Sequence, residues 1–185
     1  MENEFSKVLV PTECISYPRS GHHALVDLLR AYFGGGSLVY GEIYRDSLAT
    51  LGSLWPPVNY QKNHDFDLLT PVDAARNYLV QVRNPLESIE SWETFDRRVG
   101  HTPDTAEARL DFWNAFVKKW VFGEVPNRLV VWYEDLVGAP VETCTAVIQF
   151  LTRTQNVDMD LLARSLALRP LARRRPHVPR RYLKA

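Results

Sequence analysis

Residues 13–33 read ECISYPRSGHHALVDLLRAYF. Cys14 to Ser16 suit a short buried strand, and Pro18-Arg19-Ser20-Gly21 make a tight turn. Beyond it, Leu25, Leu28, Leu29, Tyr32 and Phe33 recur at helical spacing, with Asp27 and Arg30 on the other side. A glycine where a strand passes into a helix lets the backbone approach a ligand closely. The first helical N–H groups then point into the turn, and the helix dipole favours an anion there. Arg19 adds a positive charge to that mouth and Ser20 a hydroxyl. The stretch therefore predicts an α/β fold with a cradle of the phosphate-binding type. It is not the nucleoside-triphosphate loop GxxxxGK[ST], because Gly21 is followed by His22 and His23. Without the Ser or Thr that anchors Mg²⁺, a kinase or ATPase reading starts badly.

The 185 residues are enough for one domain, 1–185, with a real core. Apolar residues make up 45% and charged residues 24%, as in ordinary globular chains. A formal charge of zero argues against a general nucleic-acid binder. The charge is unevenly spread: after Asp160 there are eight Lys or Arg and no acid, which leaves fourteen bases against twenty-two acids in residues 1–160. Cys14 and Cys144 have no metal-ligand or CxxC spacing, so a reduced, cytoplasmic setting is the simplest expectation. The opening MENEF is acidic and lacks the apolar core of a secretory leader. No apolar run approaches membrane-spanning length, so no integral membrane contact is expected.

Further along, short strands are expected at 7–10 and 37–40, with 41–59 mostly irregular. Tyr60 to Phe66 reads as a strand entering a polar loop, and Asn77 to Arg83 as a buried strand. Asn84-Pro85 opens a helix to about Arg98. Pro103-Asp104 opens another, whose Leu110, Trp113, Phe116 or Val117 and Trp120 form a core-facing stripe. Arg128 to Tyr133 is a further strand, Gly138-Ala139-Pro140 leads into a helix, and Asp158 caps a last one. Residues 169–185 form a basic tail without regular structure. Alternating strands and helices predict three layers: a mostly parallel sheet flanked by helices.

Three stretches then fall at the carboxyl ends of strands, where such sheets bind ligands: YPRSGHH, KNH and RNPLESIES. Arg83 offers a planar fork of donors suited to phosphate, with Ser91 about two turns into the helix that follows. His64 is the candidate general base, because imidazole titrates near neutrality. Lys62, two residues away in an extended segment, points to the same side. Together with Tyr133-Glu134-Asp135-Leu136, these motifs resemble the sulfotransferases that use 3′-phosphoadenosine-5′-phosphosulfate (PAPS), a P-loop nucleotide-hydrolase-like family. The resemblance spans roughly residues 13–155.

It implies that Arg19, Ser20, Gly21, His22 and His23 hold the 5′-phosphosulfate, and that Arg83 and Ser91 grip the 3′-phosphate. Tyr133 would lie near adenine, while Lys62, Arg19 and His64 would serve catalysis. The implied acceptor is a small molecule or glycan bearing a hydroxyl or amine. No metal is required, since a sulfuryl group in transit carries less negative charge than a phosphoryl group. A nucleotide-binding module without transfer activity and a nucleotide kinase are the alternatives. The chain departs from cytosolic members at His22, His23 and Ala24, where two Thr and a Trp commonly follow the glycine. It also lacks a close match to their late Arg-Lys-Gly stretch. Arg173-Arg174-Arg175 is a candidate replacement, and a solvated tail or an anionic partner are other readings of it. Tyr40, Tyr44, Trp55 and Tyr60 are candidates for an acceptor wall or for core packing.

Overall fold

The computed structural model describes residues 9–34, 36–42 and 59–168. Among these residues five parallel strands form one sheet: β1 (Thr12–Ser16), β2 (Tyr40–Glu42), β3 (Tyr60–Asn63), β4 (Asn77–Val82) and β5 (Arg128–Trp132). Their spatial order is β2-β3-β1-β4-β5. The helices are α1 (His22–Phe33), α2 (Pro85–Val99), α3 (Ala106–Trp120), α4 (Tyr133–Gly138), α5 (Pro140–Thr152) and α6 (Met159–Leu168).

β1 is buried along its whole length because both neighbours pair with it and both faces are covered. Alternation along the strands divides the core in two. Cys14, Tyr60, Leu79 and Val131 point to one face, where α1, α5 and α6 supply Leu25, Leu29, Ile148, Leu151 and Leu162. Ile15, Tyr78, Val80 and Val82 point to the other, against Trp113, Phe116, Val117 and Trp120 of α3. A parallel sheet needs such cover on both sides, and the two clusters are its two interlayer cores.

Several expectations shift. Leu9 and Val10 are not strand, and Lys7 and Val8 lie outside the described residues. The second strand starts at Tyr40, not at Ser37. The reason is Asn59, whose Oδ1 accepts from Val39 N at 2.9 Å and whose Nδ2 donates to Ser37 O at 2.7 Å. These bonds occupy the backbone of 37–39, so pairing begins at Tyr40 opposite Tyr60. Tyr133 to Gly138 forms the helix α4, where the sequence pattern marks only a stretch following a strand. Leu110 drops out of the α3 stripe, being 38% exposed, and Arg109 turns inward in its place at 2%. Residues 43–58, with Tyr44 and Trp55, and the tail 169–185 lie outside the described residues. Among the described residues no helix is long and apolar enough to cross a membrane.

β1 sits where the strand order reverses: the chain builds to one side through β2 and β3, then crosses to β4 and β5. The crevice outside the carboxyl ends of β3, β1 and β4 is therefore the topological switch point, where sheets of this kind place ligands.

Candidate functional site

Past Ser16 the chain stays in register for one more bond, from Tyr17 N to Gln81 O at 2.9 Å. The Tyr17 hydroxyl then runs through the core to donate to Arg109 O at 3.0 Å, which fixes the base of the turn. Arg19 and Gly21 both adopt left-handed backbone, with φ of 65° and 84°. For arginine this costs about 1–2 kcal/mol, and strain of this kind gathers at functional turns. A Cβ on Gly21 would stand 2.5 Å from Cδ2 of Tyr133, so the position needs glycine for space as well as for φ. Gly21 is also the N-cap of α1, and it offers no side-chain acceptor. The first turn of α1 contains no acid. Its N–H groups and positive dipole end are thus left for something else to satisfy. Ser20 Oγ is buried and has no partner among the described residues. A hydroxyl in that state beside a bare helix end fits an anionic ligand.

The second stretch closes on the first. Arg19 Nε donates to Ser91 Oγ at 3.2 Å, and Arg83 Nη1 reaches Arg19 O at 3.5 Å. The Arg83 guanidinium lies 4.3 Å from the Tyr133 ring centroid, a cation–π contact. Its Nε and Nη2 donate to Glu87 Oε2 at 3.2 and 2.6 Å. Arg19 and Arg98 both lie over the Phe95 ring, at 5.1 and 5.5 Å. Partial burial, and then the charges of Arg98 and Arg83, hold the Arg19 guanidinium below its ordinary pKa. Crowded guanidinium groups of this kind attract an anion. Next to Tyr133, Glu134 Oε1 accepts from Asn84 N at 2.9 Å, which ties the start of α2 to the end of β5.

His64 follows β3 directly and lies against the end of β1. Its Nδ1–H donates to Ser16 O at 2.5 Å, which makes Nε2 the basic nitrogen. The loop behind it is held by Asp65, a buried residue with φ of 46°. Asp65 Oδ2 accepts from Lys119 Nζ and Trp120 Nε1, each at 2.7 Å, and Oδ1 accepts from Thr70 N at 2.8 Å. Lys119 Nζ donates further to Leu68 O and Thr70 O. Lys62 is buried on β3 opposite Cys14, about 7 Å back along the strand from His64.

His22 departs from what the sequence suggested. Its ring is not in the cradle but buried under it, 4% exposed. Nδ1–H donates to Gln81 Oε1 at 3.0 Å, and Nε2 accepts from the Tyr40 hydroxyl at 3.2 Å. Burial above all, then the charge of Lys62, pushes its pKa down to about 3, so the imidazole is neutral. The first helical residue after the glycine points into the sheet, so His22 lends the cradle its backbone N–H and not its ring. His23 is exposed. Tyr60 is fully buried in this group on the α1 face of the sheet, and the half-buried Tyr40 packs against it. The Cys14 thiol, pushed up to about 12 by burial, donates to Gln81 Oε1 at 3.4 Å.

An aromatic pocket of about 470 Å³ lies on the other side, lined by Phe66, Trp92, Phe112, Ala108, Asp104 and Arg109. Phe66 stands 5.0 Å from the His64 ring and 5.9 Å from both Trp92 and Phe112. Sequence reasoning passes over it, because Phe112 lies off the apolar stripe read on α3 and no local pattern joins it to Trp92 on α2. The irregular position of Phe66 beside His64 is the available signal. Among the described residues no cluster of three His, Cys, Asp or Glu is placed to hold a metal ion. No protein-family model and no curated protein matches the chain.

Proposed function

We propose that the chain is a P-loop-type sulfotransferase that moves a sulfuryl group from PAPS to a hydroxyl or amine. The supporting observation is the convergence of Arg19, Ser91, Arg83 and His64 at the ends of three adjacent strands. The fit to the nucleotide rests on the orphaned Ser20 hydroxyl, the bare start of α1 and the crowded guanidinium groups. PAPS supplies the activated sulfuryl group.

The Arg19–Gly21 turn and the α1 N–H groups hold the 5′ end, and Arg83 with Ser91 holds the 3′-phosphate. His64 Nε2 takes the acceptor's proton as the acceptor atom bonds to sulfur. The S–O bond to the 5′-phosphate breaks, and its electron pair stays on the phosphate oxygen. Arg19, Lys62 and the helix dipole stabilise that developing charge, the largest electrostatic contribution in such a site. The products are the sulfated acceptor and adenosine 3′,5′-bisphosphate.

A non-transferring nucleotide-binding module is the second reading. It keeps the same cradle and 3′-phosphate grip and lacks only the transfer step; the Arg83–Glu87 pair bears on both readings alike, because a 3′-phosphate must take that carboxylate's place on the fork. The test is thermal unfolding with adenosine 3′,5′-bisphosphate against ATP–Mg²⁺, followed by transfer of labelled sulfate from PAPS to an acceptor panel. The bisphosphate at 100 times its Kd should stabilise by ~2.7 kcal/mol. His64→Ala should lower turnover ~10²–10⁴-fold with little change in nucleotide affinity. Equal stabilisation by ATP–Mg²⁺ rejects the proposal. Bisphosphate binding without transfer selects the second reading.

A further inference from the structure

The 470 Å³ pocket beside His64 has three aromatic walls and, at its mouth, a carboxylate. Phe66 is 42% exposed, so a flat group can lie against it, while Trp92 and Phe112 close the sides. Tyr17 backs both of these rings, at 6.0 and 5.4 Å, and holds their spacing to the turn.

The sign of the pocket follows from how its two charges are spent. Arg109 is 2% exposed, and its Nη2 donates to Asp96 Oδ2 at 2.5 Å, so its charge is matched within the core. Its guanidinium also covers the Trp92 ring at 4.5 Å. Asp104 is exposed, and among the described residues it makes no ion pair. It is not used as a helix cap either: Thr105 takes that place, its Oγ1 accepting from Ala108 N at 3.1 Å. Glu107 and Asp111, exposed on the same helix, make the surroundings more acidic. Aromatic faces with an uncompensated carboxylate are a site for an organic cation.

We infer that this pocket takes an acceptor with a flat aromatic body and a protonated amine, the amine at Asp104 and the reacting hydroxyl toward His64. The inference rests on the sulfotransferase reading for the reacting end, but the recognition of the cation does not. Arg109 provides the competing possibility. Among the described residues its Nε and Nη1 have no partner, so an anionic ligand that reached them would be favoured instead.

The experiment is calorimetric titration of the intact chain with tyramine, 4-ethylphenol and 4-hydroxyphenylacetate, each with and without saturating adenosine 3′,5′-bisphosphate. Tyramine should bind about tenfold tighter than 4-ethylphenol, and the carboxylate most weakly. Asp104→Asn should bring the tyramine to 4-ethylphenol ratio near one; the residue is exposed, so the variant should fold. A ratio near one in the unaltered chain, a ratio unmoved by Asp104→Asn, a preference for the carboxylate, or no binding of any probe overturns the inference. Tyramine binding lost in Asp104→Asn but with no nucleotide binding leaves the pocket standing and removes the sulfotransferase reading. Nucleotide binding and sulfate transfer without amine preference does the reverse.

Discussion

At the scale of single residues, Gly21 carries two constraints that no other amino acid meets together. Its φ of 84° disfavours a side chain, and the Tyr133 ring occupies the place a Cβ would take. Gly21→Ala should therefore cost about 2–4 kcal/mol of unfolding free energy, from left-handed strain and overpacking together. A urea melt measures it, and a loss under about 1 kcal/mol would mean that the ring yields freely. Gly21 could be singled out from the sequence because a turn between strand and helix calls for it. Its clash with Tyr133 could not, since the two are far apart along the chain. His22 shows the converse. Its neighbourhood in sequence is the cradle, but its ring is claimed by Gln81 and Tyr40 across the sheet.

Among the elements, the link between β3 and β4 places His64 and Phe66, and α3 pins it from outside. Lys119 bonds a buried carboxylate and two carbonyls of that loop. Lys119→Met leaves Asp65 charged and short of a partner, so it should cost about 3 kcal/mol. Adding Asp65→Asn should restore most of that, because removing both members of a buried pair is far cheaper than removing one. Hydrogen exchange at residues 64–70 should rise in Lys119→Met and fall back in the double variant. If the double variant is no better than the single one, the ion pair is not what holds the loop. Periodicity placed Trp113, Phe116 and Trp120 on the inward face of α3, but it gave no sign that Lys119, next in line, reaches across to this loop.

For the molecule as a whole, a neutral imidazole locked in the interlayer core links stability to pH. The His22 pKa lies near 3 in the folded chain against an ordinary value near 6.5, so the unfolded chain binds more protons between those limits. Its contribution is full above pH 6.5 and is lost as pH falls toward 3, at up to about 1.4 kcal/mol per pH unit. Chemical denaturation from about pH 7 to about pH 4 should show this slope, and His22→Gln should flatten it. An unchanged slope would place the acid sensitivity in other groups.

The order of strands and helices was legible in the sequence because both faces of a parallel sheet must be buried, which leaves short β-rich runs between amphipathic stretches. The glycine turn, the Asn84 start of α2 and the Asp158 cap are likewise local chemistry, and they stand where their residues put them. Which side chains meet was decided in three dimensions. Strand order brought β3 and β4 to either side of β1, so Arg83 met Arg19 and His64 met Ser16. The facing of α1 withdrew His22 from the cradle, and the packing of α2 against α3 opened a pocket between rings that no local pattern joins. Short-range pattern reports which face of an element is apolar; it carries no record of which partner across the sheet a polar group will find.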